Sequence, residues 1–264
     1  MPSQLIHLEL CADAAARAGW TLDGASGEFL LGAIAPDAWA VSGATRAATH
    51  FWDTTNDLSG AVRLREAHPQ LANPAALEPR VRALLAGYLC HLVTDEQWTF
   101  TVYRPYFGRH SPYRASPEGS RVQWALQAQL EQRIRDQRTT DLRRWLAALA
   151  SAKGDIDLPF LPARAAAAWR ALLLEACQLP TMADAFFRLL SRTGRQGDPA
   201  MAQALRAEWP ALTGQAAELV PDGALQTFRA RAATACDVVL AEWSRATPRP
   251  ADGREQVGET HVRP

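Results

Sequence analysis

The stretch "GYLCHLVTDEQW", residues 87–98, is an apolar segment in which His91 and Asp95 stand four positions apart. It lies within a longer pattern that predicts a helix over residues 75–101. Side chains four residues apart on a helix share one face, so this pair could bind the same metal ion. A polar stripe on an ordinary helix explains the spacing equally well. The pair alone leaves both interpretations open.

The same helical character extends along most of the chain. Ala, Leu, Arg, Glu and Gln fill long segments, and alternating strand patterns are nearly absent. We predict an all-α protein, a single-domain multi-helix bundle over residues 1–246 with a flexible tail over 247–264. The predicted helices cover about 6–19, 27–32, 44–52, 75–101, 118–136, 139–151, 162–177, 180–192, 198–218 with a break at Pro210, and 222–246.

Composition limits the classes of function. The 264 residues carry 28 Lys and Arg against 28 Asp and Glu, so general nucleic-acid binding and attraction to anionic membranes are not expected. The N-terminal sequence lacks the pattern of a secretion signal, and the longest apolar runs are too short to cross a bilayer. We therefore expect a cytoplasmic protein without a transmembrane segment.

The four cysteines form no short-range motif. They are scattered along the chain without a CxxC pair, which argues against a zinc ribbon and against a dense disulfide framework. We expect reduced, mostly buried thiols at Cys11, Cys90, Cys177 and Cys236.

Three further polar residues lie beside apolar helical patterns. They are His7 in "LIHLEL", Asp37 in "LGAIAPDAW" and His50 in "TRAATHFWD". Burying an unpaired imidazole or carboxylate costs several kcal/mol, whereas one divalent cation can satisfy a whole group of them. Mixed His and Asp ligation suits zinc, with manganese or iron as alternatives.

These motifs, in this order, resemble those of the zinc-dependent phospholipase C family, whose all-helical fold is shared with fungal single-strand nucleases. The resemblance covers about residues 1–100. It implies a phospholipase C-like fold in which Asp95 can bridge two ions and His7 binds the second. The implied metal ligands are His7, Asp37, His50, His91 and Asp95.

The sequence departs from the secreted family members after the HxxxD motif. Those members hold a further zinc ion through a later His and an HxxxE pair on the next helix. Residues 96–109 and 118–136 contain no histidine here. We therefore expect one or two zinc ions rather than three.

The resemblance implies hydrolysis of a phosphoester by attack of metal-bound hydroxide. The absence of a secretion signal favours a small soluble substrate over a lipid bilayer. Asp37 is the predicted catalytic base that orients the attacking water. The predicted substrate contacts are Trp39, Arg46, Trp98 and His110, although packing in the core is an alternative for the aromatic side chains.

Two other functions remain open. One is a metalloenzyme that acts on an ester or amide in specialised metabolism, and the other is a non-catalytic, metal-stabilised helical binding protein.

Several residues receive structural roles. Asp53 is predicted to hydrogen-bond a ligating imidazole or to stand as an acid at a helix end, and His68 is predicted to have no functional role. The large aromatic side chains beyond about residue 118 are predicted to fill the core. They are Trp124, Trp145, Trp169, Phe186, Phe187, Trp209, Phe228 and Trp243.

Overall fold

The computed structural model describes residues 3–20, 24–52, 58–193 and 199–245. This part of the chain is helical and contains no strand, which confirms the predicted all-α class. The helices are α1 Gln4–Arg17, α2 Ser26–Ile34, α3 Trp39–Ser42, α4 Arg46–His50, α5 Gly60–Ala67, α6 Pro79–Trp98, α7 Pro117–Gln137, α8 Thr139–Ser151, α9 Ala163–Ala176, α10 Met182–Arg192, α11 Pro199–Leu219 and α12 Asp222–Arg245.

Helix α6 is the centre of the fold. It begins at Pro79, which has no N–H to leave unpaired, and the Glu78 carboxylate accepts the next two free N–H groups, from Arg80 and Val81. From Ala83 to Trp98 almost every side chain is buried. Helices α2 and α12 cover most of this surface, and α1 and α5 cover the remainder.

Two glycines allow α2 and α6 to touch backbone to backbone. A Cβ atom on Gly32 would lie 1.9 Å from the carbonyl oxygen of Leu84, and one on Gly87 would lie 1.9 Å from that of Phe29. No other residue fits at such a distance. Gly87 is the first residue of the stretch that predicted the central helix.

The second half of the chain packs against this core as a layer of helices. Helix α7 contacts α10, α11 and α1, while α9 packs against α10 and against the 3₁₀ turn Ala35–Ala38 that follows α2. Within the described residues no helix has both the length and the apolar character that crossing a membrane requires.

Three local predictions were wrong. A helix forms at Gly60–Ala67, and α6 continues as a π-helix over Thr99–Phe107. There Pro105 has no N–H to continue the α-helical hydrogen-bond ladder. Helix α11 continues through Pro210 without a break. The residue before it, Trp209, stacks on Phe186 with ring centroids 5.1 Å apart. Tertiary packing outweighs local propensity at this position.

The glycine contact predicts the effect of adding one methyl group. Gly87→Ala should force α2 and α6 apart and lower the free energy of unfolding by about 3 kcal/mol or more. The matched control is Gly214→Ala in α11, where an added Cβ meets nothing within 4 Å. That change should stabilise by up to about 1 kcal/mol. Urea unfolding measures both, and an equal effect of the two substitutions would contradict the close contact.

A buried carboxyl group holds the start of α1. The Leu5 N–H donates to Glu131 Oε1 over 2.7 Å. Burial raises the pKa of Glu131 to about 7, against a smaller lowering by the hydrogen bond from Leu5. The folded protein therefore binds a proton here that the unfolded chain releases near pH 4.5.

This carboxyl group predicts a pH dependence of stability. The contribution of protonated Glu131 is complete below pH 4.5 and is lost as the pH rises to about 7, because the unfolded chain ionises first. The loss amounts to about 3 kcal/mol. Glu131→Gln keeps an acceptor for Leu5 and should flatten this part of the profile. If the free energy of unfolding depends on pH identically in the unmodified protein and in Glu131→Gln, this contribution of Glu131 is excluded.

Candidate metal centre

Four elements bring together the five residues predicted as ligands. His7 comes from α1, Asp37 from the 3₁₀ turn, His50 from α4, and His91 with Asp95 from α6. The side chains of the three histidines and Asp95 are at most 1% exposed, and that of Asp37 is 16% exposed. The cluster therefore lies inside the bundle and reaches solvent at Asp37.

The contacts between these residues are longer than hydrogen bonds. His50 Nε2 lies 3.3 Å from Asp95 Oδ2 and 3.4 Å from Asp37 Oδ1. Asp95 also lies 3.6 Å from His91 Nε2, through Oδ2, and 3.4 Å from His7 Nε2, through Oδ1. Two groups of three could each hold an ion: His7, Asp37 and His91, or His50, His91 and Asp95.

These separations match the edges of a coordination tetrahedron. Two ligand atoms each about 2.1 Å from a zinc ion lie roughly 3.4 Å apart. Hydrogen bonds between such groups are shorter, about 2.7–3.2 Å.

Backbone carbonyls set the orientation of two imidazole rings. His91 Nδ1 lies 2.8 Å from the carbonyl oxygen of Ala33, and His50 Nδ1 lies 3.2 Å from that of Arg46. A carbonyl oxygen only accepts, so Nδ1 of His91 carries the proton and its Nε2 keeps the lone pair. His50 Nδ1 also lies 3.0 Å from the Thr49 hydroxyl, which donates its own proton to the Arg46 carbonyl, so this Nδ1 too is the donor and its Nε2 keeps the lone pair. Both lone pairs point into the cluster, as in metal sites whose histidines are fixed by a second hydrogen bond.

Several buried atoms of the cluster have no hydrogen-bond partner. Such atoms are costly, and native proteins contain few of them. They are both ring nitrogens of His7, Nε2 of His50, Nε2 of His91, and Oδ1 of Asp95.

The charges of the cluster depend on one another. The rings of His7 and His91 stack with centroids 3.7 Å apart and planes 10° apart, which disfavours a proton charge on both. Burial and the nearby His91 lower the pKa of His7. Burial also opposes charge on His91, but Asp95 outweighs it and raises the pKa of that ring. The three histidines in turn hold the pKa of Asp95 well below its usual range, against the effect of burial.

Asp37 is positioned by a residue that the sequence analysis missed. Gln4 Nε2 donates to Asp37 Oδ2 over 2.6 Å, and the Trp169 indole N–H donates to Gln4 Oε1 over 3.3 Å. The hydrogen bond from Trp169 fixes which end of the amide faces Asp37. Gln4 lies one turn before His7, and this i, i+3 spacing on α1 was the available signal.

A cavity of about 570 Å³ opens beside Asp37. Arg46 lies at the same edge and donates to Asp95 Oδ2 over 3.0 Å. Among the described lining residues, Arg46 is the only Arg or Lys and Asp37 the only carboxylate. The aromatic part of the wall is Trp39, Trp52, Tyr103, Trp124, Trp169 and Phe186.

Comparison with protein-family models, with curated proteins and with solved structures yields no match. The resemblance to phospholipase C stays a prediction from the motifs.

The four predicted substrate contacts fall into two groups. Trp39 and Arg46 line the cavity. Trp98 instead lies fully buried against Phe228, with ring centroids 5.1 Å apart, and is not part of the cavity wall. His110 is exposed on the turn that follows the π-helix and also lies outside the wall.

Three of the later aromatic residues, predicted to fill the core, also line the cavity. Trp124, Trp169 and Phe186 form one side of the cavity. Their origin in α7, α9 and α10 shows that the second half of the chain completes the site.

An aromatic cluster supports the end of α4. Phe51 has the left-handed φ of 55° directly after His50, a strained conformation for a residue with a side chain. Its ring packs on Phe160 and His68 at centroid distances of 4.9 and 5.7 Å, and Tyr88 donates to the Thr49 carbonyl. His68 therefore has a packing role.

Asp53 and the tail over 247–264 lie outside the described residues.

Proposed function

We propose that the chain is a metal-dependent hydrolase that cleaves a phosphodiester in a site formed by the His and Asp cluster. The observation that carries the proposal is the set of buried, unpartnered ring nitrogens and carboxylate oxygen, spaced at the edge length of zinc coordination. Zinc is the first choice of ion, because imidazole and carboxylate ligands suit a borderline cation.

The arrangement suits one ion and leaves ligands for a second. His91 has a single lone pair available, at Nε2, so it serves only one ion. We assign His50, His91 and Asp95 Oδ2 to the first ion, with Asp37 Oδ1 beside them. His7 and Asp95 Oδ1 are then left for a second ion, with Asp95 as the bridge.

The side chains at the cavity edge have separate tasks. Zinc held by these residues would supply a water ligand with a pKa of about 7 and would polarise a phosphoryl oxygen. Asp37 reaches both the cluster and the cavity, so its carboxylate orients the attacking water and accepts its proton. Gln4 keeps that carboxylate aimed at the cavity. Arg46 offers its guanidinium group to a phosphoryl oxygen while it holds Asp95.

The cavity wall indicates the class of substrate. A phosphomonoester carries up to two negative charges, whereas a diester carries one. Among the described lining residues there are one guanidinium group, already paired with Asp95, and six aromatic side chains, a set that fits a singly charged diester with an apolar or aromatic substituent. The same scarcity of positive charge among the described lining residues favours a neutral ester or amide as the alternative substrate of a metalloenzyme.

Metal binding has a direct test. After removal of metal with a chelator and dialysis, the protein should bind one or two equivalents of Zn²⁺ by elemental analysis and unfold at a higher temperature when loaded. His91→Ala should bind at least one equivalent of Zn²⁺ less and lose most of the rise in unfolding temperature that zinc causes. His110→Ala is the control, since that ring is exposed outside the cavity. Less than one equivalent in the unmodified protein would remove the metal proposal.

Activity has a separate test with Asp37→Asn. This substitution should lower kcat/KM for bis(p-nitrophenyl) phosphate by about a hundredfold or more while zinc stays bound, because the proton acceptor is lost. Asp222→Asn, at a side chain 81% exposed on α12, should leave the rate unchanged.

Three outcomes, measured with this variant and with two further substrates, count against the proposal. Full activity in metal-loaded Asp37→Asn would exclude Asp37 as the base. Faster turnover of p-nitrophenyl phosphate than of the diester by the unmodified protein would exclude the diester preference. Turnover of p-nitrophenyl acetate without turnover of either phosphate would favour the neutral-ester alternative.

A further inference from the structure

Three cysteines that are far apart in the sequence meet at one point in the core. Cys11 on α1, Cys90 on α6 and Cys236 on α12 are completely buried, and their sulfur atoms all lie within 4.8 Å of one another. Two other polar groups reach the Cys236 sulfur, namely the Thr94 hydroxyl at 3.5 Å and the Cys90 carbonyl at 3.7 Å. The fourth cysteine, Cys177, is half-buried and lies outside this group.

We propose that Cys11, Cys90 and Cys236 form a trithiol site for a trivalent thiophilic metalloid, of which arsenic(III) is the type. The site is separate from the His and Asp cluster and does not depend on the proposed hydrolase function. Its basis is the convergence of three thiols from three helices on one buried point.

Charge balance selects this class of ligand. Three thiolates around Cu⁺ carry a net charge of −2, and around Zn²⁺ a net charge of −1. An uncompensated charge in a site with no exposure is costly. Three thiolates around arsenic(III) carry no net charge. The neutral hydroxide As(OH)₃ exchanges its three hydroxyl groups for the three sulfurs and releases three water molecules, so no proton or electron is left over.

The spacing of the sulfurs is close to what such a complex needs. Three sulfurs bonded to one atom at about 2.3 Å lie roughly 3.4–4.0 Å apart. From separations within 4.8 Å, each sulfur must move by less than about 1 Å to bind. Side-chain rotation supplies movements of that size without rearranging the helices.

The test measures arsenic on the whole chain. Metal-free, reduced protein is incubated with arsenite, both in its native state and during refolding, because the buried site requires transient opening. Native mass spectrometry should show one arsenic atom per chain and the loss of three hydrogens. X-ray absorption at the arsenic edge should show three sulfur neighbours in the unmodified protein, a result that does not depend on the folding of any variant.

Matched cysteine variants locate the site. Cys236→Ala should weaken arsenic binding by about a hundredfold or more, since one of three bonds is lost, and Cys177→Ala should bind as the unmodified protein does. His91→Ala should still take up arsenic, which separates this site from the metal centre. The proposal is overturned by no uptake in either preparation, by fewer than three sulfur neighbours, or by equal binding in Cys236→Ala. Zinc or copper(I) uptake at the three thiols in place of arsenic would also overturn it.

Discussion

The contact between α2 and α6 through Gly32 and Gly87 is the constraint on which the site depends. It brings the backbone of α2 so close that the Ala33 carbonyl lies 2.8 Å from His91 Nδ1 and fixes the tautomer of that ring. The same helix leads directly into the turn that carries Asp37. One helix crossing therefore sets both the direction of an imidazole lone pair and the place of a carboxylate.

The polar groups of the His and Asp cluster do not form enough hydrogen bonds with one another to satisfy all of their buried atoms. Arg46 and Gln4 each donate to one carboxylate, and carbonyls accept from two of the rings, yet the facing nitrogens and oxygens stand 3.3–3.6 Å apart. Salt bridges with that geometry repay little of the cost of burying five ionisable side chains. A divalent cation at the centre would satisfy these atoms together, and protons alone would not, because the stacked rings of His7 and His91 oppose double protonation.

The sequence predicted the parts of this site that follow from short-range periodicity. The i, i+4 spacing of His91 and Asp95 on an apolar helix, and the all-α class, are properties of a few turns of chain. The aromatic wall and the thiol cluster depend on long-range packing, since Cys236 is 146 residues from Cys90. The π-helix was missed because Pro105 reads locally as a loop. Spacing within a helix could not reveal which helices would be neighbours.

The two clusters share α1 and α6 but use different faces of α6. Cys90 precedes His91 and Thr94 precedes Asp95, and neighbouring helical residues point about 100° apart. Helix α6 thus presents sulfur and hydroxyl groups toward α12 and ligand groups toward α1 and α4. On α1, His7 and Cys11 are one turn apart and belong to different clusters. Because side-chain rotation alone can draw the sulfurs together, a ligand at the thiols need not turn either helix, and the metal centre beside it can keep its geometry.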